Sequence, residues 1–344
     1  MKWKRLLTFL LFSAVLFCFA IASLPYFRGN DMQSEGLELH FIDVGQGDAS
    51  LVLCDGHAML IDGGTPGSSR TIYTYLQQHK IDHLDYIVAS HAHDDHVGGL
   101  AGALNAAKAD HALSPVTQAD GRAFQSFLKY LDQQGVSITV PAPGDTFSLG
   151  SASFQILGPI RDTTNVNDTS LVIRLTYGSF HALFTGDAGT QEEQDILQSR
   201  ASLRSDVLKV GHHGSADASG EAWLQAVRPK TAVISCGVNN EYGHPASQTV
   251  SRLEAIGTEI LRTDQMGDIV IRAAQDGSYA LADNALTPQS DESVSFIVNT
   301  RTGKFHDPNC PSVRDIMPQN RLEFSGDRES LLEKGYTPCG RCQP

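Results

Sequence analysis

The stretch that decides the fold is Ser90-His91-Ala92-His93-Asp94-Asp95-His96-Val97-Gly98-Gly99, directly after a short apolar segment. Crowding three imidazoles and two carboxylates into six residues is costly unless a cation holds them, and zinc, manganese and iron accept these ligands. In a loop that leaves a strand, His91 and His93 are predicted to bind one ion. Asp95 and His96, which open the following helix, are predicted to bind a second. The alternative is a solvated polar loop with scattered histidines.

Two later stretches place similar side chains after apolar segments. Phe184-Thr185-Gly186-Asp187 follows a predicted strand pair, Leu171–Leu175 and His181–Phe184. Val207-Leu208-Lys209-Val210-Gly211 leads into the pair His212-His213. Strands and helices interleave over residues 37–282, which predicts one layered α/β domain.

The three stretches quoted above, taken in their order along the chain, resemble the signature of the metallo-β-lactamase superfamily. The resemblance implies a four-layer αββα sandwich in which Asp187 bridges two metals. It implies that His213 or His212 completes the second metal site, while the other imidazole faces the substrate. Asp62, in Ile61-Asp62-Gly63-Gly64, matches the acidic residue that usually braces the metal loop.

Four features resemble the ComEC-type branch, the extracellular hydrolase domain of bacterial DNA-uptake channels. They are Phe41-Ile42-Asp43-Val44-Gly45-Gln46-Gly47-Asp48, Asn167-Asp168-Thr169-Ser170-Leu171-Val172, His212-His213-Gly214-Ser215 and Glu241-Tyr242-Gly243-His244-Pro245. Secreted phosphocholine esterases of cell-wall teichoic acid resemble relatives within that branch. The resemblance covers about residues 36–282.

One departure from the superfamily concerns the first metal site. Many members place a further histidine between the main loop and the bridging aspartate, where this chain has Asn167 and Asp168. One of them is predicted to bind the first metal or to hold its water, which favours a harder metal such as manganese. A plain turn is the alternative.

The remaining candidates lie in loops around this centre. Asp48 is expected near the metal cleft, in a structural or a catalytic role. His244 is a candidate general acid or phosphate contact, and otherwise a loop histidine that bonds to backbone. Lys209 is interpreted as solvated or ion-paired rather than as a phosphate contact.

The predicted reaction is hydrolysis of a phosphodiester by water activated between two divalent metal ions, zinc or manganese. Asp95, His244 and His212 are the catalytic candidates, and DNA or a cell-envelope phosphodiester is the candidate substrate. The net charge of −13 argues against a broad basic face for nucleic acid, but bound cations would offset it locally. The alternatives are a lactamase- or thioesterase-type hydrolase, or a DNA- or partner-binding protein that acts through its C-terminal module.

The N-terminus is predicted to be a targeting segment. Met1–Arg5 is basic and Leu6–Leu24 carries no charge, so residues 1–25 are a signal peptide or a single membrane anchor. Residues 26–36 are predicted to be a linker. The rest of the chain is then extracytoplasmic, either secreted or anchored to the outer face of the cell membrane. The oligomeric state is left open.

The C-terminus is predicted to be a separate zinc-stapled domain, residues 293–344, after a polar linker at 283–292. His306 and Cys310, followed some thirty residues later by Cys339 and Cys342, have the spacing of a four-coordinate structural zinc site. A disulfide between two of these cysteines is the alternative. The arrangement resembles the Ada-type zinc-binding module. Two further cysteines, Cys54 and Cys236, are predicted to be buried free thiols.

Overall fold

The structure, a computed structural model, describes residues 36–282, 295–308, 310–325, 331, 334–339 and 341–342. The predicted N-terminal segment, its linker up to residue 35 and the linker at 283–292 lie outside the described residues. Among the described residues, no helix combines the length and the apolar character needed to cross a bilayer.

The strands, in chain order, are β1 (Leu37–Phe41), β2 (Ser50–Cys54), β3 (His57–Ile61), β4 (His83–Val88), β5 (Lys108–Leu113), β6 (Ile138–Thr139), β7 (Thr146–Leu149), β8 (Ala152–Gly158), β9 (Val172–Tyr177), β10 (Phe180–Phe184), β11 (Val207–Lys209), β12 (Thr231–Ile234), β13 (Glu259–Arg262), β14 (Ile269–Ala273), β15 (Tyr279–Leu281), β16 (Ser295–Asn299), β17 (Lys304–His306), β18 (Arg321–Ser325) and β19 (Thr337–Pro338). The α-helices are α1 (Ser69–Gln78), α2 (Asp94–Val97), α3 (Leu100–Ala106), α4 (Arg122–Gln134), α5 (Thr190–Ser199), α6 (Glu221–Val227), α7 (Ser247–Ala255) and α8 (Thr263–Met266).

Two sheets form the centre of the sandwich. The first has the order β15-β14-β1-β2-β3-β4-β5-β6 and the second β13-β12-β11-β10-β9-β8-β7. Strands β3 to β6 run parallel, as do β10 to β13. Their carboxyl ends carry the metal-ligand motifs that the sequence predicts.

Three apolar clusters separate four layers. The inner faces of the sheets meet in a core that includes Phe41, Phe154 and Phe184. The outer face of the first sheet packs on α1, α3 and α4, and that of the second on α5, α6 and α7. This α/β, αββα arrangement confirms the predicted fold class.

The C-terminal region forms a third sheet, in the order β18-β16-β17-β19. It has apolar clusters of its own, one around Phe296 and Phe305 and another around Ile297 and Cys310. This small core is consistent with a separate unit that a metal would help to hold together.

Candidate metal centre

The predicted metal ligands meet at one cleft of about 590 Å³. They arrive on loops that follow β4, β10 and β11. The metal loop packs closely because Gly98 and Gly99 lie against the backbone of Pro66 and Gly63, where a Cβ would collide. The cleft is lined by Gln46, Ala92, His93, Asp94, Asp95, Ala119, Gly121, Val166, Asn167, Asp187, His212, His213, Tyr242 and His244.

His91, His93 and Asp187 form the first ligand set, with their candidate ligand atoms within 4.8 Å of one another. His91 Nε2 lies 3.0 Å from His93 Nδ1 and 3.8 Å from Asp187 Oδ2. His91 is fully buried, and burial holds its pKa well below the ordinary value. The lowered pKa favours the neutral imidazole, which is the form that binds a metal ion.

The second ligand set consists of Asp95, His96 and His213. His213 Nε2 lies 3.3 Å from Asp95 Oδ2. The other carboxylate oxygen of Asp187, Oδ1, lies 3.2 Å from His96 Nε2 and 3.7 Å from His213 Nε2. Asp187 thus presents one oxygen to each set, which is the arrangement a bridging carboxylate needs.

Buried atoms without hydrogen bonds indicate that these residues fit metal ions. His96 Nε2, His213 Nε2 and Asp187 Oδ1 are buried and make no hydrogen bond of good geometry within the described part of the chain, although Asp187 Oδ1 lies 3.2 Å from His96 Nε2. An unsatisfied buried polar group costs about 1–3 kcal/mol, and here three converge. Divalent cations would satisfy them together.

Asp62 holds His96 from behind the centre. Its carboxylate accepts hydrogen bonds from Ser90 N–H and Ser90 Oγ, both at 2.7 Å, and its Oδ2 lies 2.9 Å from His96 Nδ1. This contact leaves His96 Nε2 directed at the metal position. Asp62 therefore braces the loop, as the sequence predicts, and a partner of this kind fixes the ring orientation of a ligating histidine.

Asp48 plays a similar part for His213, whose Nδ1 also lies 3.1 Å from Ser235 O. Asp48 Oδ1 lies 3.1 Å from His213 Nδ1, and its Oδ2 forms a 2.7 Å ion pair with Lys209 Nζ. The turn reaches this position because Gly47, at φ +154°, approaches the backbone of Asp95 more closely than a side chain would allow. Lys209 is buried and ion-paired rather than solvated, so it does not reach substrate.

The structure distinguishes His212 from His213. Both have left-handed backbone conformations, at φ 49° and 53°, which turn their side chains to different surroundings. His213 joins the second ligand set, while His212 keeps Nδ1 3.2 Å from Asp217 Oδ1 and Nε2 3.7 Å from Asp187 Oδ2. His212 is also partly exposed in the cleft, so it is the imidazole placed to meet substrate.

Asn167 and Asp168 are likewise separated. Asp168 uses both oxygens within the protein, accepting hydrogen bonds from Gly189 N–H at 3.0 Å and from the Asn165 side chain at 2.8 Å. Asn167 lines the cleft, and its buried Oδ1 has no hydrogen-bond partner among the described residues. The structure favours Asn167 over Asp168 as the oxygen donor, with Asp168 bracing the turn.

His244 lies in the cleft beside the two other imidazoles. Its ring is 5.6 Å from that of His212 and 6.3 Å from that of His213. Burial lowers its pKa, and the two neighbouring histidines lower it further. The side chain lines the cleft, and its Nδ1 lies 3.5 Å from Gln46 Nε2.

The C-terminal cluster brings together all four predicted zinc ligands, His306, Cys310, Cys339 and Cys342, within 4.8 Å. The cysteines are free thiols, and His306 Nδ1 is buried with no hydrogen-bond partner in the described residues. Arg341 N–H donates to Cys339 Sγ at 3.4 Å, a contact that favours a thiolate. This geometry fits a metal better than the alternative disulfide.

Two further thiols, Cys54 and Cys236, are buried and free. The prediction for both is confirmed.

Ser170 is a site residue that the sequence reasoning missed. Its Oγ accepts a hydrogen bond from Asp187 N–H at 3.0 Å and lies 3.4 Å from His91 Nδ1. It therefore ties the bridging carboxylate to the first ligand set. Its position inside the quoted Asn167–Val172 motif was the available signal.

Comparison with known proteins agrees with this geometry. A profile described as the metallo-beta-lactamase superfamily matches residues 42–238, more than half of the chain. The chain belongs to the metallo-β-lactamase superfamily. With its ligand sets, it is a metal-dependent hydrolase of that superfamily.

Two curated relatives bear on the branch. The chain is 32% identical to ComE operon protein 3 of Bacillus subtilis (strain 168), over 70% of this chain and 33% of that protein. It is 30% identical to competence protein ComA of Neisseria gonorrhoeae, over 69% of this chain and 32% of that protein. The chain thus spans about a third of the length of these relatives. They confirm the resemblance to the ComEC-type branch.

The fold is also similar to that of a solved structure, CmlA from Streptomyces venezuelae, a diiron beta-hydroxylase. The TM-score is 0.50 at 14% identity, over 71% of this chain and 55% of that one. At this identity the likeness concerns the fold alone.

Proposed function

We propose that this superfamily hydrolase is an extracytoplasmic phosphodiesterase with two divalent metal ions, zinc or manganese, acting on DNA or a cell-envelope phosphodiester. The observation that carries the proposal is Asp187, which offers one carboxylate oxygen to each of two histidine-rich ligand sets. A scaffold or binding module has no need for such a pair.

The ligand assignment follows from the distances. His91, His93 and Asp187 would hold the first ion, with Asn167 as an added oxygen donor; Asp95, His96, His213 and Asp187 would hold the second. Two ions held there supply Lewis acidity, which activates water near neutral pH and neutralises charge that develops on phosphoryl oxygens.

Residues beside the metal ligands would bind the substrate and transfer protons. His212 presents Nε2 to the cleft while Asp217 Oδ1 lies 3.2 Å from its Nδ1. When Nδ1–H donates to that carboxylate, Nε2 of the neutral ring is an acceptor, so His212 can take a proton from water and, once protonated, give one to the leaving oxygen. Burial lowers the pKa of His244, which favours the neutral ring, and this ring can donate an N–H hydrogen bond to a phosphoryl oxygen. Asp48 and Asp62 keep the ligand rings oriented without touching substrate.

The resemblance to the hydrolase domain of DNA-uptake channels supports DNA as the substrate class. The named relatives, a ComE operon protein and a competence protein, also support a role associated with the cell envelope. The basic, then uncharged N-terminal residues support a location outside the cytoplasm. In this proposal the C-terminal cluster binds one structural zinc ion.

The test is the substitution Asp187→Asn in the full chain. We expect loss of bound metal and loss of cleavage of bis-nitrophenyl phosphate, of single-stranded DNA and of double-stranded DNA. The reason is that both ligand sets lose the negative charge of the carboxylate that they share. Asp132→Asn, at an exposed position on α4, is the matched control. Unchanged turnover in Asp187→Asn, or a wild type that binds metal but cleaves no phosphodiester, would refute the proposal.

A further inference from the structure

Tyr242 stands out on the rim of the catalytic cleft. It is 73% exposed, more than any other large hydrophobic side chain that the structure describes. A single exposed aromatic residue is ordinary in itself. This ring, however, belongs to the cleft lining and lies nearly parallel to the ring of His244, at 5.6 Å and 25°.

The loop that carries Tyr242 is held in place by its own hydrogen bonds. The Asn240 side chain donates to Gly237 O at 2.9 Å and to His244 O at 2.6 Å, and it accepts from His244 N–H at 2.9 Å. Gly237 N–H in turn donates to the Gln46 side chain at 3.1 Å. The backbone on either side of Tyr242 is therefore held in place, which lowers the entropy cost of ordering the loop when a ligand stacks on the ring.

The charges of the cleft indicate which part of a substrate the ring would meet. Its lining contains the carboxylates of Asp94, Asp95 and Asp187, and no lysine or arginine among the described residues. A polyanionic backbone would find no side-chain cation there beyond bound metals. The parts of a substrate beyond the reacting phosphate would therefore be bound by uncharged side chains of the cleft, and Tyr242 is the most exposed aromatic ring among them.

We propose that Tyr242 is a specificity-determining residue that stacks on an unpaired nucleobase next to the phosphodiester being cleaved. The inference rests on the proposed phosphodiesterase function and deepens it. An aromatic face accepts every base, since each has a π-face. The substrate is then single-stranded nucleic acid with little dependence on base sequence, because a paired and stacked base cannot reach the ring.

Three chromogenic diesters with one leaving group test the proposal. They are the p-nitrophenyl esters of thymidine 5′-monophosphate, of methyl phosphate and of phosphorylcholine. In the full chain, Tyr242→Ala should raise KM for the thymidine ester roughly 5- to 150-fold, the range expected for one lost stack, and leave the methyl ester unaffected. Tyr242→Phe should retain the wild-type KM because it keeps the ring.

The matched control is Tyr73→Ala, since Tyr73 is an exposed tyrosine on α1 outside the cleft lining. Equal effects of Tyr242→Ala on all three esters, or none on the thymidine ester, would overturn the inference. So would a selective effect on the choline ester, which would mean that the ring binds a quaternary ammonium group.

Failure of the proposed function has a different signature. If the metal-loaded wild type hydrolyses none of the esters, the phosphodiesterase proposal has failed. The Kd of a fluorescent oligothymidylate for wild type and Tyr242→Ala then decides the inference alone. Weaker binding by Tyr242→Ala, restored in Tyr242→Phe, supports stacking, and equal Kd values contradict it.

Discussion

The buried ion pair between Lys209 and Asp48 gives the sharpest prediction about the support of the metal centre. Both side chains are almost inaccessible to solvent, and Nζ lies 2.7 Å from Oδ2. Lys209→Met keeps the length and the apolar stem of the side chain but removes its charge. Asp48 is then left with His213 as its remaining side-chain partner.

The size of the effect follows from distance and burial. At 2.7 Å and an effective dielectric constant of about 20, the attraction between the charges is about 6 kcal/mol. Desolvation offsets much of this in the intact pair. Removal of Lys209 leaves Asp48 with His213 alone, and loss of one partner of a buried ion pair typically costs about 3–5 kcal/mol. We expect a loss of stability in this range and a melting temperature lower by roughly 10 °C.

Urea unfolding of wild type, Lys209→Met, Asp48→Asn and the double variant measures the pair directly. The double variant leaves no unpaired charge, and His213 Nδ1 keeps its contact with Ser235 O at 3.1 Å. It should therefore be more stable than the sum of the single losses predicts. Additive losses, or a cost below about 1 kcal/mol for Lys209→Met, would show that the pair is not coupled as the geometry implies.

Two further predictions concern the tail and the pH dependence of stability. Cys342→Ser should lower the zinc content of the full chain by one equivalent and leave diester cleavage intact, because the tail has its own core. Metal analysis measures this, with Cys54→Ser as the control. Equal zinc content in both variants would exclude a tail zinc site. Burial raises the pKa of Glu192 from 4.5 to about 7. The proton that Glu192 binds in the folded state therefore contributes its full stabilisation below the ordinary pKa, and this stabilisation is lost as pH rises through the raised pKa. Glu192→Gln, which keeps an acceptor for Ile160 N–H, should flatten the fall in unfolding free energy between about pH 5 and about pH 7 in urea titrations; an unchanged slope would assign that fall to other groups.

Local periodicity predicted most of the strands and helices. Leu37, Leu39 and Phe41 alternate along β1 and all reach the core between the sheets, although Glu38 and His40 on the other face of the strand are buried as well. The order of the strands was not accessible in this way. Leu39 pairs with Ile271 on β14, and a local sequence pattern cannot predict a contact between residues so far apart in the chain. The prediction of a four-layer sandwich came from the resemblance to the metallo-β-lactamase superfamily.

Ligand chemistry predicted the metal-binding residue types, but backbone geometry decided between neighbours. His212 and His213 are neighbouring imidazoles that share a left-handed conformation. Only the contacts of the folded chain place His213 against Asp95 and His212 against Asp217. Asn167 and Asp168 differ through hydrogen bonds to Gly189 and Asn165 that no spacing rule contains.

The centre concentrates costs that a cation would offset. Two consecutive non-glycine residues, His212 and His213, are left-handed, at about 1–3 kcal/mol each for such strain. Three buried polar atoms of His96, His213 and Asp187 also lack hydrogen bonds among the described residues. A divalent cation bound there would offset these terms, since metal binding that the unfolded chain lacks adds to the free energy of folding. Metal binding at this edge of the sandwich would therefore be coupled to the folding of the strained His212-His213 turn.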